Sequence, residues 1–115
     1  MGEDHFSPDG RFVVQLSCNE MRMSHWVCTP SIKAVAETKD LMDLYPTLWH
    51  ADTVDWSPDS RTLDMDLRLY PGSGPAAHLT LHLDENQAIV ERAGALHTLT
   101  IPEAEALFKQ WDSAE

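Results

Sequence analysis

The stretch that decides the fold is residues 62–70, which read TLDMDLRLY. Apolar side chains occupy every second position of this stretch: Leu63, Met65, Leu67 and Leu69. Because successive side chains of a strand point to opposite faces, the pattern predicts a strand with one buried and one solvated face. A Pro/Gly-rich turn, residues 71–75, follows it, and residues 77–83 alternate again. We therefore predict an antiparallel hairpin at the centre of the fold.

A short phrase occurs twice in the chain. Residues 6–11 read FSPDGR, and residues 56–61 read WSPDSR. In such a phrase Pro presets φ, Asp can hydrogen-bond back to the chain, and Gly10 allows φ above zero, so each copy predicts a tight turn. A strand pattern follows each copy. The repeat therefore indicates two related halves, residues 6–55 and 56–99, within one domain that spans residues 1–115.

Further strand patterns fill both halves. The predicted strands cover residues 12–18, 21–28, 31–37, 49–55, 62–70, 77–83, 87–92 and 95–99. The second strand is expected to end before Thr29 and Pro30, and residues 38–40 to form a turn. Residues 41–48 fit either a short strand or one helical turn. In the strand over residues 49–55, the alternation places Trp49, Ala51 and Thr53 on one face.

One helix is predicted, over residues 101–111. Thr100 is its N-cap, and Glu103 completes a Thr-x-x-Glu capping box. Its apolar residues recur with helical spacing and predict a buried stripe: Ala104, Leu107, Phe108 and Trp111. Residues 112–115 are expected to fray. The fold class is therefore mainly β (α+β), an antiparallel β-meander of two related halves with a C-terminal helix packed on the sheet.

The charge balance excludes several functions. The chain of 115 residues has 8 Lys and Arg against 19 Asp and Glu, a formal net charge of −11. Nucleic-acid binding and attachment to anionic membranes both require basic residues, so neither is expected. The acidity suits solubility and the steering of a basic partner. The N-terminal residues lack the apolar segment of a secretion signal, so we expect a cytoplasmic protein.

The two cysteines, Cys18 and Cys28, lie in or beside strand patterns. Free thiols in a reducing cytoplasm are the favoured interpretation. A disulfide is the alternative if the two strands are neighbours in the sheet.

Histidines and aspartates share the wet face of the central hairpin. In the register that we expect, Asp66 faces His82. Tyr70 then faces His78, and Asp64 lies one pleat further along. Carboxylate and imidazole groups can bind zinc, but no helical or Cys-containing metal motif accompanies them, so a cross-strand charge pair is favoured. We predict no catalytic residue, no metal and no cofactor.

The SPDG phrase with the strand after it resembles the repeats of bacterial β-propellers, at residues 6–11 and 56–61. A propeller needs about four blades to close, and this chain has material for about two. Taken whole, with its small size, its acidity, the MRMSHW stretch of residues 21–26 and the YPG loop of residues 70–72, the chain resembles small acidic bacterial immunity proteins encoded beside secreted toxins.

The net charge of −11 and the absence of a catalytic motif, together with that resemblance, favour a non-enzymatic protein that neutralises a basic toxin or effector, for example one delivered by type VI secretion. We expect it to be a monomer or homodimer. The predicted contact residues are acids that complement a basic cleft and aromatic anchors: Asp52, Asp55, Asp64, Asp66, Trp26 and Tyr70. Trp26 is the first candidate for an exposed aromatic residue. Two alternatives stay open: a metal-dependent enzyme or binder that uses the His/Asp face, and a structural β-domain that self-associates through edge strands.

Overall fold

The structure is a computed structural model that describes residues 2–21, 25–37, 39–70 and 74–114. It is mainly β, with two antiparallel sheets and a C-terminal helix, as the sequence predicts. Parts of four predicted segments lie outside the described residues, namely residues 22–24, Thr38, residues 71–73 and Glu115.

Both sheets are meanders, since each strand pairs with the next strand along the chain. The first sheet contains β1 (Gly2–Phe6), β2 (Phe12–Glu20), β3 (Trp26–Ala34) and β4 (Lys39–Asp43). The second contains β5 (Trp49–Trp56), β6 (Thr62–Leu69), β7 (Ala77–His82), β8 (Gln87–Arg92) and β9 (Ala95–Leu99). A short 3-10 turn, Leu83–Glu85, separates β7 from β8, and the helix α1 covers Ile101–Ala114. The strand over residues 49–55, which the repeat places in the first half, thus pairs in the second sheet.

The core lies between the sheets and under α1, which contacts β4 and β8. The alternate residues of β6 point into it: Leu63, Met65, Leu67 and Leu69 are all buried, as predicted. Trp49 is completely buried, and its Nε1 donates to the carbonyl of Phe108 at 2.9 Å. This hydrogen bond satisfies the polar end of the largest core side chain and ties β5 to the helix.

The predicted capping box of α1 is confirmed. The Thr100 backbone N donates to Glu103 Oε1 at 2.9 Å, and the Glu103 N donates to Thr100 Oγ1 at 3.3 Å. The first of these bonds lowers the pKa of Glu103. Of the predicted stripe, Ala104 and Phe108 are buried, whereas Leu107 and Trp111 are half-buried.

The helix continues past its predicted end at residue 111, as far as Ala114. The expectation that residues 112–115 fray is therefore wrong for residues 112–114. Asp112 Oδ1 accepts a hydrogen bond from the Leu48 backbone N at 2.9 Å, and this bond fixes the last turn of the helix on the body of the protein.

The first sheet differs from the prediction at Pro30, because β3 continues through this residue instead of ending before it. The Cys28 N–H donates to a side chain of β5, so it points away from β2. The backbone nitrogen of Pro30, two residues later, also points away from β2. The missing N–H of proline therefore costs no hydrogen bond to β2. The predicted strand over residues 31–37 is the end of β3, and residues 35–37 form the turn. Lys39 and Asp40, predicted in a turn, lie in β4.

Cys18 and Cys28 are directly opposite each other in β2 and β3, and they form a disulfide with a Cα–Cα distance of 3.9 Å. The favoured prediction of two free thiols is wrong. The alternative depended on the two strands being neighbours, which a sequence pattern does not reveal.

A β-bulge changes the faces of β5. The register shifts between Ala51 and Thr53, so Asp52 is the extra residue. Trp49 and Ala51 point inward as predicted, but Thr53 is exposed and Val54 packs against the core instead.

Candidate functional site: the acidic outer face of the second sheet

The register of the central hairpin places His78, and not His82, beside the aspartates. Asp66 is opposite His78, and Thr62 is opposite His82, so the predicted pairs Asp66–His82 and Tyr70–His78 are wrong. The 3-10 turn ends β7 at His82, and the Leu83 N donates to the Arg61 carbonyl at 3.0 Å, which sets the register. Because the shift is an even number of residues, every side chain keeps its predicted face.

Charged side chains collect on the outward side of β5 to β8. We define the acidic face as the following set: Asp55, Asp64, Asp66, His78 and Glu91. Cross-strand pairing links its members, since Asp55 is opposite Asp64, Asp66 is opposite His78, and His78 is also opposite Glu91. A surface hollow of about 210 Å³ lies at this face, beside Asp66, His78 and Glu91.

His78 bridges the two aspartates of β6. Its Nδ1 lies 2.8 Å from Asp66 Oδ1, and its Nε2 lies 3.0 Å from Asp64 Oδ1. An imidazole donates from both nitrogens only when it is protonated. The hydrogen bond to Asp66 is the main cause that raises the pKa of His78, and the bond from His78 is the main cause that lowers the pKa of Asp66. The geometry therefore favours an imidazolium between two carboxylates.

Two threonines complete this arrangement. Thr80 Oγ1 donates to Asp64 Oδ1 at 2.6 Å, and Thr53 Oγ1 donates to Asp66 Oδ2 at 3.1 Å. Thr53 reaches Asp66 because the bulge turns it outward. The alternation of residues 49–55 predicts Thr53 on the face of Trp49 and Ala51, and no sequence motif marks either threonine. The alternation of β7 places Thr80 on the wet face, but no sequence signal indicates the bulge.

The other predicted acids differ in how their charge is balanced. Asp52 accepts two hydrogen bonds from Arg68, at 2.6 Å from Nε and 2.8 Å from Nη2. The carboxylate of Asp55 has no hydrogen bond or ion pair with any residue that the structure describes. Asp52 is therefore neutralised within the protein, and Asp55 is the acid that is available to a cation from outside.

The predicted aromatic anchors lie at the ends of strands. Tyr70 follows the last residue of β6 and is half-buried, with its ring 6.2 Å from that of His25. Trp26, the next residue after His25, begins β3 and is 47% exposed. The contact between His25 and Tyr70 brings the start of β3 to the end of β6.

His50 is a further residue that sequence reasoning missed. Its Nδ1 accepts the Cys28 N–H at 2.9 Å, which joins β5 to β3 of the other sheet, and its Nε2 lies 3.5 Å from Asp52 Oδ1. A lone histidine in a strand pattern carries no signal for such a contact. It couples the disulfide-bonded strand of the first sheet to the strand that carries Asp55.

The metal alternative has little support in this geometry. Both ring nitrogens of His78 face carboxylates, whereas a metal ligand needs a free lone pair on an unprotonated nitrogen. Across residues 2–21, 25–37, 39–70 and 74–114, no group of three or more His, Cys, Asp or Glu side chains has an arrangement suited to a metal ion.

Comparison of the chain with protein-family models, with curated proteins and with solved structures gave no significant match. No helix among the described residues is long and apolar enough to cross a bilayer. Function is therefore inferred from the residues of this chain alone.

Proposed function

We propose that the protein is a non-enzymatic inhibitor that binds a basic protein through the acidic face. The expected partner is a toxin or effector whose active-site cleft carries Lys or Arg side chains, and the acidic face occludes that cleft. The net charge of −11 supports the proposal, because a strongly acidic protein is steered towards a basic surface.

The single observation that carries the proposal is the pair of Asp55 and Asp64. These two acids stand directly opposite each other on neighbouring strands. Like charges in such a position destabilise a sheet by a few tenths of a kcal/mol. The pair therefore does not stabilise the fold. A Lys or Arg side chain of a partner beside the two carboxylates would relieve their repulsion. Sites that work against stability in this way are often functional.

The positions of the anchors are consistent with the same surface. Arg68 of β6 continues the outward row that begins with Asp64 and Asp66, and Tyr70 directly follows the last residue of that strand. An aromatic residue at the end of an acidic row suits an interface in which aromatic side chains contribute affinity and charges contribute specificity. We assign Tyr70, and Trp26, which follows the ring partner of Tyr70 in sequence, to the apolar end of the contact.

For the compartment, the disulfide between Cys18 and Cys28 supports an oxidising environment, such as the bacterial periplasm, over the cytoplasm expected from the sequence. Alkylation of the protein in fresh cell extracts, followed by mass spectrometry, tests this. Unmodified cysteines support the oxidising compartment, and modification of both cysteines supports the cytoplasm.

The experiment for the inhibitor proposal begins with affinity capture from an extract of the source organism and identification of the captured protein. That protein is then purified, and its affinity for the wild type and for a double variant, Asp55→Asn with Asp64→Asn, is measured by calorimetry in low and high salt. We expect a basic partner, at least a tenfold loss of affinity in the variant, and a weaker salt dependence. The partner's own activity should fall when wild-type protein is added in equal amount.

A matched control removes the same charge from the first sheet. Asp4→Asn with Glu20→Gln changes two exposed acids of β1 and β2, far from the acidic face in the sheet order. The control should bind almost as well as the wild type. Equal losses in the two variants would mean that net charge alone matters, and an unchanged affinity in the Asp55/Asp64 variant would refute the proposed site.

A further inference from the structure

The outer edge of the second sheet is formed by β9, which in the sheet order has β8 as its only neighbour. The turn between β8 and β9 contains two residues, Ala93 and Gly94, with φ of 54° and 81°. Positive φ at both positions is the signature of a type I′ hairpin turn. In such a hairpin, the residues that flank the turn, Arg92 and Ala95, form a hydrogen-bonded pair.

The alternation of an antiparallel ladder then settles which backbone groups are free. Hydrogen-bonded pairs recur at every second position, so His97 also bonds to β8, whereas Leu96 and Thr98 belong to the non-hydrogen-bonded pairs. The N–H and C=O groups of Leu96 and Thr98 therefore point away from the sheet. They form a template for one more strand.

Nothing in the composition of β9 protects this edge. The strand reads ALHTL, without a charged residue or a proline. The edge strands of the first sheet differ, since β1 carries Glu3 and Asp4, and β4 carries Lys39 and Asp40. Leu96 is 67% exposed, the largest fraction among the large hydrophobic residues that the structure describes. The helix covers only the inner face, where Trp111 contacts His97 with ring centroids 5.9 Å apart.

We propose that β9 pairs antiparallel with β9 of a second copy of this chain, about a two-fold axis at His97. Leu96 of each copy is then opposite Thr98 of the other, and the two residues exchange both of their backbone hydrogen bonds. The two second sheets become one continuous sheet, and both acidic faces lie on the same side of it.

We assign this edge to a second copy of the chain, because the uncharged strand β9 can pair with itself but offers no acidic side chain to a basic partner. Two acidic chains meet without like-charge contact only where the strand is uncharged, and β9 is such a strand. A basic peptide would find no acid on β9 to recognise. The contact is short, five residues on each side, so the dimer is weak and its population depends on concentration.

Sedimentation velocity of the full chain, from micromolar to millimolar concentration, tests the proposal. We expect a monomer–dimer equilibrium that shifts towards dimer in high salt, because salt screens the repulsion between two chains of charge −11. This salt effect is opposite to the one expected for a basic partner at the acidic face. The failure of one proposal is therefore distinguishable from the failure of the other.

The decisive variant is Thr98→Pro. The Thr98 N–H takes no part in the ladder with β8, so proline removes an outward donor and leaves the hairpin paired. We expect at least a tenfold weaker dimer with an unchanged circular dichroism spectrum, while the control Thr98→Val, which keeps the N–H, dimerises like the wild type. Leu96→Lys is the second variant if Thr98→Pro does not fold, since a charge at the edge should also abolish pairing. A wild type that is monomeric throughout, or a dimer that survives in the variants, overturns the proposal.

Discussion

The two Ser-Pro-Asp turns, residues 7–11 and 57–61, share their serine and backbone hydrogen bonds and differ in sequence at one residue. Asp9 of the first turn in addition accepts a hydrogen bond from the Arg11 side chain. In the first, the Phe12 N donates to Ser7 Oγ at 3.1 Å, and the Arg11 N donates to Asp9 Oδ1 at 3.0 Å. In the second, the Thr62 N donates to Ser57 Oγ at 3.0 Å, and the Arg61 N donates to Asp59 Oδ1 at 3.1 Å. In both turns the serine hydroxyl also donates to the aspartate. The pKa of each aspartate is lowered, mainly by the hydrogen bond from the Arg11 backbone N–H at Asp9 and by that from the Ser57 hydroxyl at Asp59.

The difference is at the residue after the aspartate. Gly10 is exposed with φ of 75°, a value that glycine adopts freely. Ser60 has φ of 63° and is completely buried, and its Oγ accepts the Asp9 N–H at 3.0 Å. The second turn thus combines a strained backbone at Ser60 with a hydrogen bond to the first turn. The repeated sequence specifies each local turn, whereas the contact between the two turns determines which residue follows the aspartate in each.

The sheets that follow the two turns are also stabilised differently. The disulfide joins β2 to β3 in the first sheet, whereas His78 and two aspartates join β6 to β7 in the second. A covalent link does not respond to pH or salt within the native range, and a charge network responds to both.

Removing the disulfide should have the largest effect. Cys18→Ala with Cys28→Ala opens a loop with a sequence separation of 10 and should lower the free energy of unfolding by about 2.5–3 kcal/mol, because the unfolded chain regains entropy. Urea denaturation measures the change. The wild type should lose a similar amount in a strong reductant. A fully reduced wild type with unchanged stability would contradict the prediction.

The turns should show the next largest effect. Gly10→Ala meets no atom within 4 Å, so its cost, about 1 kcal/mol, comes from the left-handed φ alone. Ser60→Gly relieves that strain but loses the bond from Asp9, and the two changes should nearly cancel. Urea midpoints of both variants give the comparison. If Ser60→Gly stabilised the protein as much as Gly10→Ala destabilised it, the hydrogen bond between the turns would contribute nothing.

The charge network should give the smallest effect, visible as a pH dependence. The raised pKa of His78 means that its contribution is fully present below the ordinary histidine pKa and is lost as pH rises through the folded value. From about pH 5.5 to about pH 8.5, wild type should lose roughly 0.5–1 kcal/mol of stability more than His78→Gln, a value reduced by the exposure of the side chains.

A matched control for that prediction is His5→Gln, which removes a histidine from the first sheet and leaves the bridge between Asp64 and Asp66 in place. Urea denaturation at the two pH values measures the free energy of unfolding of all three proteins. Identical slopes for His78→Gln and the wild type would show that the bridge between Asp64 and Asp66 adds no stability.

The candidate site was predictable in part. The alternation of residues 62–70 and 77–83 is enough to place Asp64, Asp66 and His78 on one wet face, because the side chains of a regular strand without a bulge point alternately to its two faces. It does not determine that His78 is the residue between the aspartates. A shift by an even number of residues keeps every face, so the buried pattern cannot distinguish the two registers.

The sequence by itself determined the features that depend on neighbours along the chain. These are the buried row of β6, the two Ser-Pro-Asp turns and the capping box of α1, each of which lies within a few residues of sequence. Only the tertiary structure decided the contacts between distant segments. The disulfide, the bond from Cys28 to His50 and the bond from Asp9 to Ser60 join strands or turns whose approach depends on how the sheets pack. Local sequence patterns determine the direction of a side chain, and tertiary packing determines which residue it contacts.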